Sequence, residues 1–173
     1  MFTSPLPHLR PVAESGYLDI VKILVGKVKS LYFGNIEAQK EYFDRQNDMG
    51  CSALMWAASK GFEDIVVYLI KHGVNLDLRN LYGYTALMDA VQWEHKSVVV
   101  RLLEAGADRD IQDEKGRNAL NRTLDGSFRY ILINTKSFKQ IEEEAEEVLT
   151  ESVAFVKFLF RIFDSYVIVH SFA

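Results

Sequence analysis

Four histidines and one cysteine are the side chains of this 173-residue chain best suited to chemistry. A helical zinc motif needs imidazoles at i, i+3 or i, i+4, so that two reach one ion. His8, His72, His95 and His170 show no such spacing, and His72, just before Gly73, reads as a helix C-terminal residue near unpaired carbonyls. A thiol nucleophile needs an activating base or a positive field. Cys51 follows Gly50 in a turn, and no Cys/His cluster surrounds it. Phosphate cradles need G-x-x-x-x-G-K-[ST] or G-x-G-x-x-G, and neither run occurs. The glutamates of residues 142–147 read as the solvated face of a helix rather than an anionic docking surface. No acid–base set gathers in residues 26–43 or in the C-terminal region. The expectation is therefore a non-enzyme with no metal and no cofactor.

Composition narrows the class. Apolar residues make up 49% and charged residues 25%, enough for a buried core and against wholesale disorder. A net charge of −4 and a pI near 5.6 argue against nucleic acid as the partner. A single cysteine makes no internal disulfide and fits a reducing compartment. Residues 1–11 hold three prolines and no apolar run, so no standard secretory signal is read, and a cytoplasmic or nuclear location is expected.

Residues 153–173 are the most apolar stretch, long enough to raise a membrane question. Lys157, Arg161 and Asp164 interrupt it, each costing roughly 2.5–3.5 kcal/mol near a bilayer centre. Their i, i+4, i+7 spacing puts them on one helical face. An amphipathic packed helix is expected, with membrane tethering as the alternative.

The elements that position everything else come from a period. Gly50, Gly83 and Gly116 stand 33 residues apart, and so do Gly73 and Gly106. Ser52-Ala53-Leu54-Met55 returns as Thr85-Ala86-Leu87-Met88 and, more weakly, as Asn118-Ala119-Leu120-Asn121. Lys71 to Asn75 returns as Glu104 to Asp108, and Asp44, Asp77 and Asp110 hold one phase. Ser52 and Thr85 can cap a helix by accepting from a free backbone N–H. First helices are predicted over 53–60 and 86–93, with Gly61 ending the earlier one. Second helices are predicted over 64–72 and 97–105. Their apolar residues, Ile65, Val66, Leu69 and Ile70, match Val98, Val99, Leu102 and Leu103 on one buried face. Gly16 to Gly61 takes 12 residues more than the period, and the surplus lies within residues 26–43 as a longer helix or an excursion.

This turn-helix-loop-helix unit resembles the ankyrin repeat, whose phrase is roughly G-x-T-P-L-H-x-A-A-x-x-G-H-x-E-I-V-x-L-L-L-x-x-G-A-D. Gly50 to Asn75 and Gly83 to Asp108 match it through their length. Residues 11–25 form a partial copy, and Gly116 to Leu124 begin another. Met55 and Met88 stand where the family has histidine, so its hydrogen-bond network between loops is not expected there. Ala53 and Ala86 replace the proline and keep the helix. Glu94 replaces the inter-helix glycine. The resemblance implies an all-α solenoid of helix-loop-helix pairs with hairpin-like turns and a C-terminal capping helix. It divides the chain into a degenerate first repeat with insertion (1–43), ankyrin repeats (44–124), and a divergent last repeat or helical cap (125–173). The weak first copy and apolar end also fit a fragment of a longer protein of the family.

The family binds partner proteins through its turns and the concave face of its first helices, so the resemblance implies a protein-binding scaffold, expected here to be a monomer. Carried over residue by residue, the turns nominate Asp48, Met49 and Cys51, then Leu81, Tyr82 and Tyr84, then Glu114, Lys115 and Arg117. The ends of the first helices add Ser59 and Lys60, then Gln92 and Trp93. Arg79 and Gln112 fall in the approach to the turns. Tyr82, Tyr84 and Trp93 are expected to form an aromatic patch flanked by Arg79, Lys115 and Arg117, because interfaces favour Tyr, Trp and Arg as anchors. For Trp93, packing over the turn at Glu94 is the competing reading. Trp56 and Tyr68 are expected in the core, and Phe155, Phe158, Phe160 and Phe163 in the core or cap.

Overall fold

In the computed structural model, the described residues are 8–136 together with Gln140, Glu143, Glu144, Glu146 and Thr150. The chain divides into two compact units, residues 1–137 and 138–173.

The first unit is a row of helix pairs: α1 (Leu9–Glu14) with α2 (Leu18–Leu31), α4 (Ala53–Lys60) with α5 (Glu63–Lys71), and α6 (Ala86–Gln92) with α7 (Lys96–Glu104). Between the first two pairs lies α3 (Ile36–Phe43). After the third pair come a short 3-10 helix, η1 (Ala119–Arg122), and α8 (Gly126–Asn134). First helices stack on first helices, α1 on α4 on α6, and second on second, α2 on α5 on α7. Such stacking makes one continuous core from units that could not bury their apolar faces alone. Leu54, Met55, Leu87 and Met88 are buried on the inner row, and Ile65, Val66, Leu69, Val98, Val99 and Leu102 on the outer one. Each of these larger side chains contributes about 1.5–3 kcal/mol by leaving water. Ile70 is only half-buried, while its counterpart Leu103 is fully enclosed.

The caps follow from the sequence. Ser52 Oγ accepts from Met55 N at 3.3 Å, Thr85 Oγ1 from Met88 N at 3.4 Å, and Asn118 Oδ1 from Asn121 N at 3.1 Å. The third cap starts only a four-residue 3-10 turn. Asn121 stands where Met55 and Met88 fill the core, so this copy lacks the apolar anchor that would extend its helix. Helix α8 follows instead, at the start of the stretch expected as a divergent last repeat or helical cap. It buries Phe128 and Leu132 and packs on α7 and η1. Arg109 reaches its last carbonyls, donating to Leu132 O, to Ile133 O at 3.2 Å and to Thr135 O at 2.7 Å, an arginine cap on the C-terminal carbonyls of the helix.

The surplus of the first repeat is both a longer helix and an excursion. Helix α2 has 14 residues against 9 in α5, and α3 docks Tyr42 and Phe43 into the core. Phe43 stacks on His72 at 6.4 Å, Tyr68 meets the same ring edge-on at 4.5 Å, and Lys29 Nζ donates to His72 Nδ1 at 3.0 Å. Burial, helped by Lys29 and Lys71, lowers the His72 pKa.

In the second unit the five described residues are helical, and Thr150 Oγ1 donates to the Glu146 carbonyl. Glu143, Glu144 and Glu146 are exposed. The readings of residues 153–173, with Phe155, Phe158, Phe160 and Phe163, lie outside the described residues. Among the described residues no helix is long and apolar enough to cross a membrane.

Candidate partner-binding site

Two structures on one side of the row define the site: a line of turns and a hollow beside it. The turns are held by a residue that recurs every 33 positions. Asn47 Oδ1 accepts from Met49 N at 3.1 Å and Cys51 N at 2.8 Å. Asn80 Oδ1 accepts from Tyr82 N and Tyr84 N, both at 2.9 Å. Asp113 Oδ1 accepts from Lys115 N at 2.8 Å and Arg117 N at 2.9 Å. The backbone closes each turn like a hairpin: Asn47 N to Cys51 O at 3.1 Å, Asn80 N to Tyr84 O at 3.0 Å, and Asp113 N to Arg117 O at 2.9 Å. Among the described residues none is in a strand.

The turns are also tied to one another. Leu81 N donates to Met49 O at 3.0 Å and Glu114 N to Tyr82 O at 3.2 Å. Further back, Asp44 Oδ1 accepts from Asn75 N at 2.8 Å and Asp77 Oδ1 from Asp108 N at 2.9 Å. Gly83 shows how close the turns approach. Its φ is +77°, and a Cβ there would stand 2.9 Å from Asp113 Cα. Only glycine takes both the left-handed conformation and that contact without strain.

Asp113 also anchors the last turn's cations. Its side chain is fully buried, and Oδ2 accepts from Arg117 Nη2 at 2.8 Å, Arg117 Nε at 3.0 Å and Arg122 Nη1 at 3.0 Å. Burial opposes ionisation, but the Arg117 bonds and the Lys115 N–H overcome it and hold the carboxyl near a pKa of about 2. Arg122, itself 3% exposed at the side chain, lies over the Tyr84 ring at 4.0 Å and donates to Gln92 Oε1 at 2.9 Å.

The hollow, about 510 Å³, opens between α4, the Tyr82 turn and α6. Met55, Trp56, Ser59 and Lys60 line one side, and Tyr82, Tyr84, Asp89, Trp93 and His95 the other, with Cys51 and Asn80 at the base of the turn. Trp93 is 61% and Tyr82 54% exposed. Trp56, expected in the core, is half-buried in the wall, with the Arg10 guanidinium 5.7 Å from its ring centre. His95 reaches back to the Ser59 carbonyl at 3.1 Å and lies against Gly61. Asp89 is mostly enclosed, and burial raises its pKa to about 7 although Arg122 pulls the other way. Burial also pushes the Cys51 thiol up, away from nucleophilic character.

The nominated residues separate into two groups. Met49, Lys60, Leu81, Tyr82, Gln92, Trp93, Gln112 and Lys115 are exposed along the turns and the hollow, as are Asp48 and Glu114. Arg79 is exposed and pairs with Glu114 at 3.4 Å. Arg117 and Tyr84 are half-buried and engaged internally, Arg117 on Asp113 and Tyr84 under Arg122. Tyr82 and Tyr84 do pair, with ring centres 6.0 Å apart, and Trp93 lines the same hollow. Asn47, Asn80 and Asp113 are absent from the nominated set, although their 33-residue spacing is a signal in the sequence. Asp89 is absent too, and no spacing marks it.

A family model for ankyrin repeats, in three copies, matches residues 11–113. No curated protein matches the chain.

Proposed function

From the premise that the chain belongs to the ankyrin-repeat family, we propose that it is a non-enzymatic scaffold that docks one partner protein on its turns and in the hollow of the second and third repeats. Ankyrin repeats are in general protein-interaction modules. One observation carries the assignment to this surface: exposed aromatics, Tyr82 and Trp93, flank a concave hollow whose walls are fixed by interlocked turns. Rigid aromatic groups beside a preformed concavity lose little entropy on binding and make effective anchors. Met49, Leu81 and Lys115 extend the surface along the turn tips. The half-buried single cysteine supports work in a reducing compartment, cytoplasmic or nuclear, and the reading takes the scaffold as a monomer.

The test is affinity capture from the native cell with wild type and a Tyr82→Ala/Trp93→Ala variant side by side. Tyr84 is left intact because it packs under Arg122. A partner held by wild type and lost by the variant is the expected result. A partner retained in full would move the interface elsewhere on the chain.

A further inference from the structure

We infer that the hollow receives the cationic end of a lysine or arginine side chain from the docked protein, held between Trp56, Tyr82 and Trp93 and against the Asp89 carboxylate. The inference rests on the docking reading and names the chemistry at its centre. Asp89 sits on α6 inside the hollow. Its carboxylate has no hydrogen bond or ion pair among the described residues. That sets it apart from Asp44, Asp77 and Asp113, each engaged by at least one backbone N–H. A largely enclosed carboxylate without a donor is unfavourable, and an incoming cation supplies what it lacks.

The aromatic walls favour the same ligand. A cation within about 6 Å of a ring centre is drawn to the electron-rich face. Two of the rings already show this, with Arg10 over Trp56 at 5.7 Å and Arg122 over Tyr84 at 4.0 Å. Tyr82 and Trp93 carry no such cation among the described residues. The space, about 510 Å³, admits a long basic side chain with part of its backbone.

The other charged and titratable groups around Asp89 set limits on this attraction. Arg122 and Arg117 are bound to Asp113, and Arg10 is stacked on Trp56. His95 is tied to the Ser59 carbonyl, Tyr84 lies under Arg122, which lowers its pKa, and burial raises that of the Cys51 thiol. Lys60, exposed at the rim on α4, is a like charge that faces an incoming cation. Because burial holds the Asp89 pKa at about 7, a bound cation must displace its proton, so affinity rises as pH increases through neutrality.

The probes are butylguanidinium, butylammonium and the neutral 1-pentanol, titrated into the protein while the Trp56 and Trp93 indole N–H resonances are followed. Both cations should shift these resonances saturably. Their affinity should fall by roughly fivefold or more in Asp89→Asn, and by a similar factor in wild type between about pH 8 and about pH 5.5. Lys60→Gln should tighten them, while pentanol should bind weakly and ignore Asp89→Asn. Equal binding of pentanol and the cations, unchanged cation affinity in Asp89→Asn, or no saturable shift would each overturn the inference. A partner that needs Tyr82 and Trp93 but tolerates Asp89→Asn would also overturn it while leaving the docking reading in place, with an apolar anchor in the hollow.

Discussion

Repeats two and three share a buried framework and differ on the inner surface. Leu54 and Leu87, Met55 and Met88, Ala57 and Ala90, Ile65 and Val98, and Leu69 and Leu102 occupy matching buried positions. The same 33-residue step takes Trp56 to Asp89, Lys60 to Trp93, Gly61 to Glu94 and Phe62 to His95. The buried set keeps the backbones alike. The four changed positions lie at or beside the hollow, which neither copy forms alone. A solenoid can thus form a hollow between neighbouring repeats without altering its core, because these positions lie outside the buried set.

The step from Phe62 to His95 gives the largest expected effect when broken. His95 lies against Gly61, which has φ +73°, and a Cβ there would come 2.5 Å from His95 Nδ1. Gly61→Ala combines left-handed strain with displacement of His95, and should cost about 3 kcal/mol in urea unfolding. It should also blunt partner binding by moving the wall of the hollow.

The step from Trp56 to Asp89 is tested by pH. Asp89 has a folded pKa of about 7, above the unfolded value of 3.8. Its protonated form is favoured on folding, so it destabilises nothing below the unfolded pKa, and stability is lost as pH rises through the folded one. Asp89→Asn should therefore stabilise the protein at about pH 8, by about 1–3 kcal/mol, and leave stability near wild type at about pH 4. Asp113 behaves oppositely. With a folded pKa of about 2 against 3.8 unfolded, its contribution is present above the unfolded value and lost as pH falls through the folded one. Asp113→Asn should destabilise at neutral pH and lose that effect in strong acid, a contrast readable from Tm against pH.

The step from Gly61 to Glu94 leaves Glu94 with φ +60°, alone among the described non-glycine residues in a left-handed conformation. Restoring the repeat with Glu94→Gly should raise stability by about 0.5–1 kcal/mol, the left-handed penalty outweighing the entropy of glycine. The step from Lys60 to Trp93 should matter least to folding. Trp93→Ala and Tyr82→Ala should each change unfolding free energy by under about 0.5 kcal/mol, while together reducing partner affinity by about 30-fold or more.

Much of this was legible in the sequence. The glycines, the Ser52 and Thr85 caps and the two-by-two apolar spacing of the second helices locate both central repeats within a residue or two. They do so because caps and buried faces are set by neighbours in the chain. Helix α3 was visible only as a surplus of 12 residues. The fourth copy carried the family phrase, yet Asn121 in a core position ends its helix after a single 3-10 turn. The site was less legible for a different reason. Arg117 reads as an exposed turn cation, but Asp113 draws it inward, and that carboxylate was hidden behind the more conspicuous phase of Asp44, Asp77 and Asp110. Asp89 looks like an ordinary polar residue on a helix. It becomes unusual only because Trp56, one repeat earlier, shares its hollow.

The central claim is that a partner enters this hollow. A rival surface exists on the first repeat, where Ile23, Leu31, Phe33 and Ile36 are exposed, Phe33 at 89%. The most direct measurement is site-specific photo-crosslinking to a purified partner, with the photoreactive side chain placed at position 93 in one protein and at position 33 in the other. The account predicts a crosslink from position 93 and none from position 33. A crosslink from position 33 alone would contradict it.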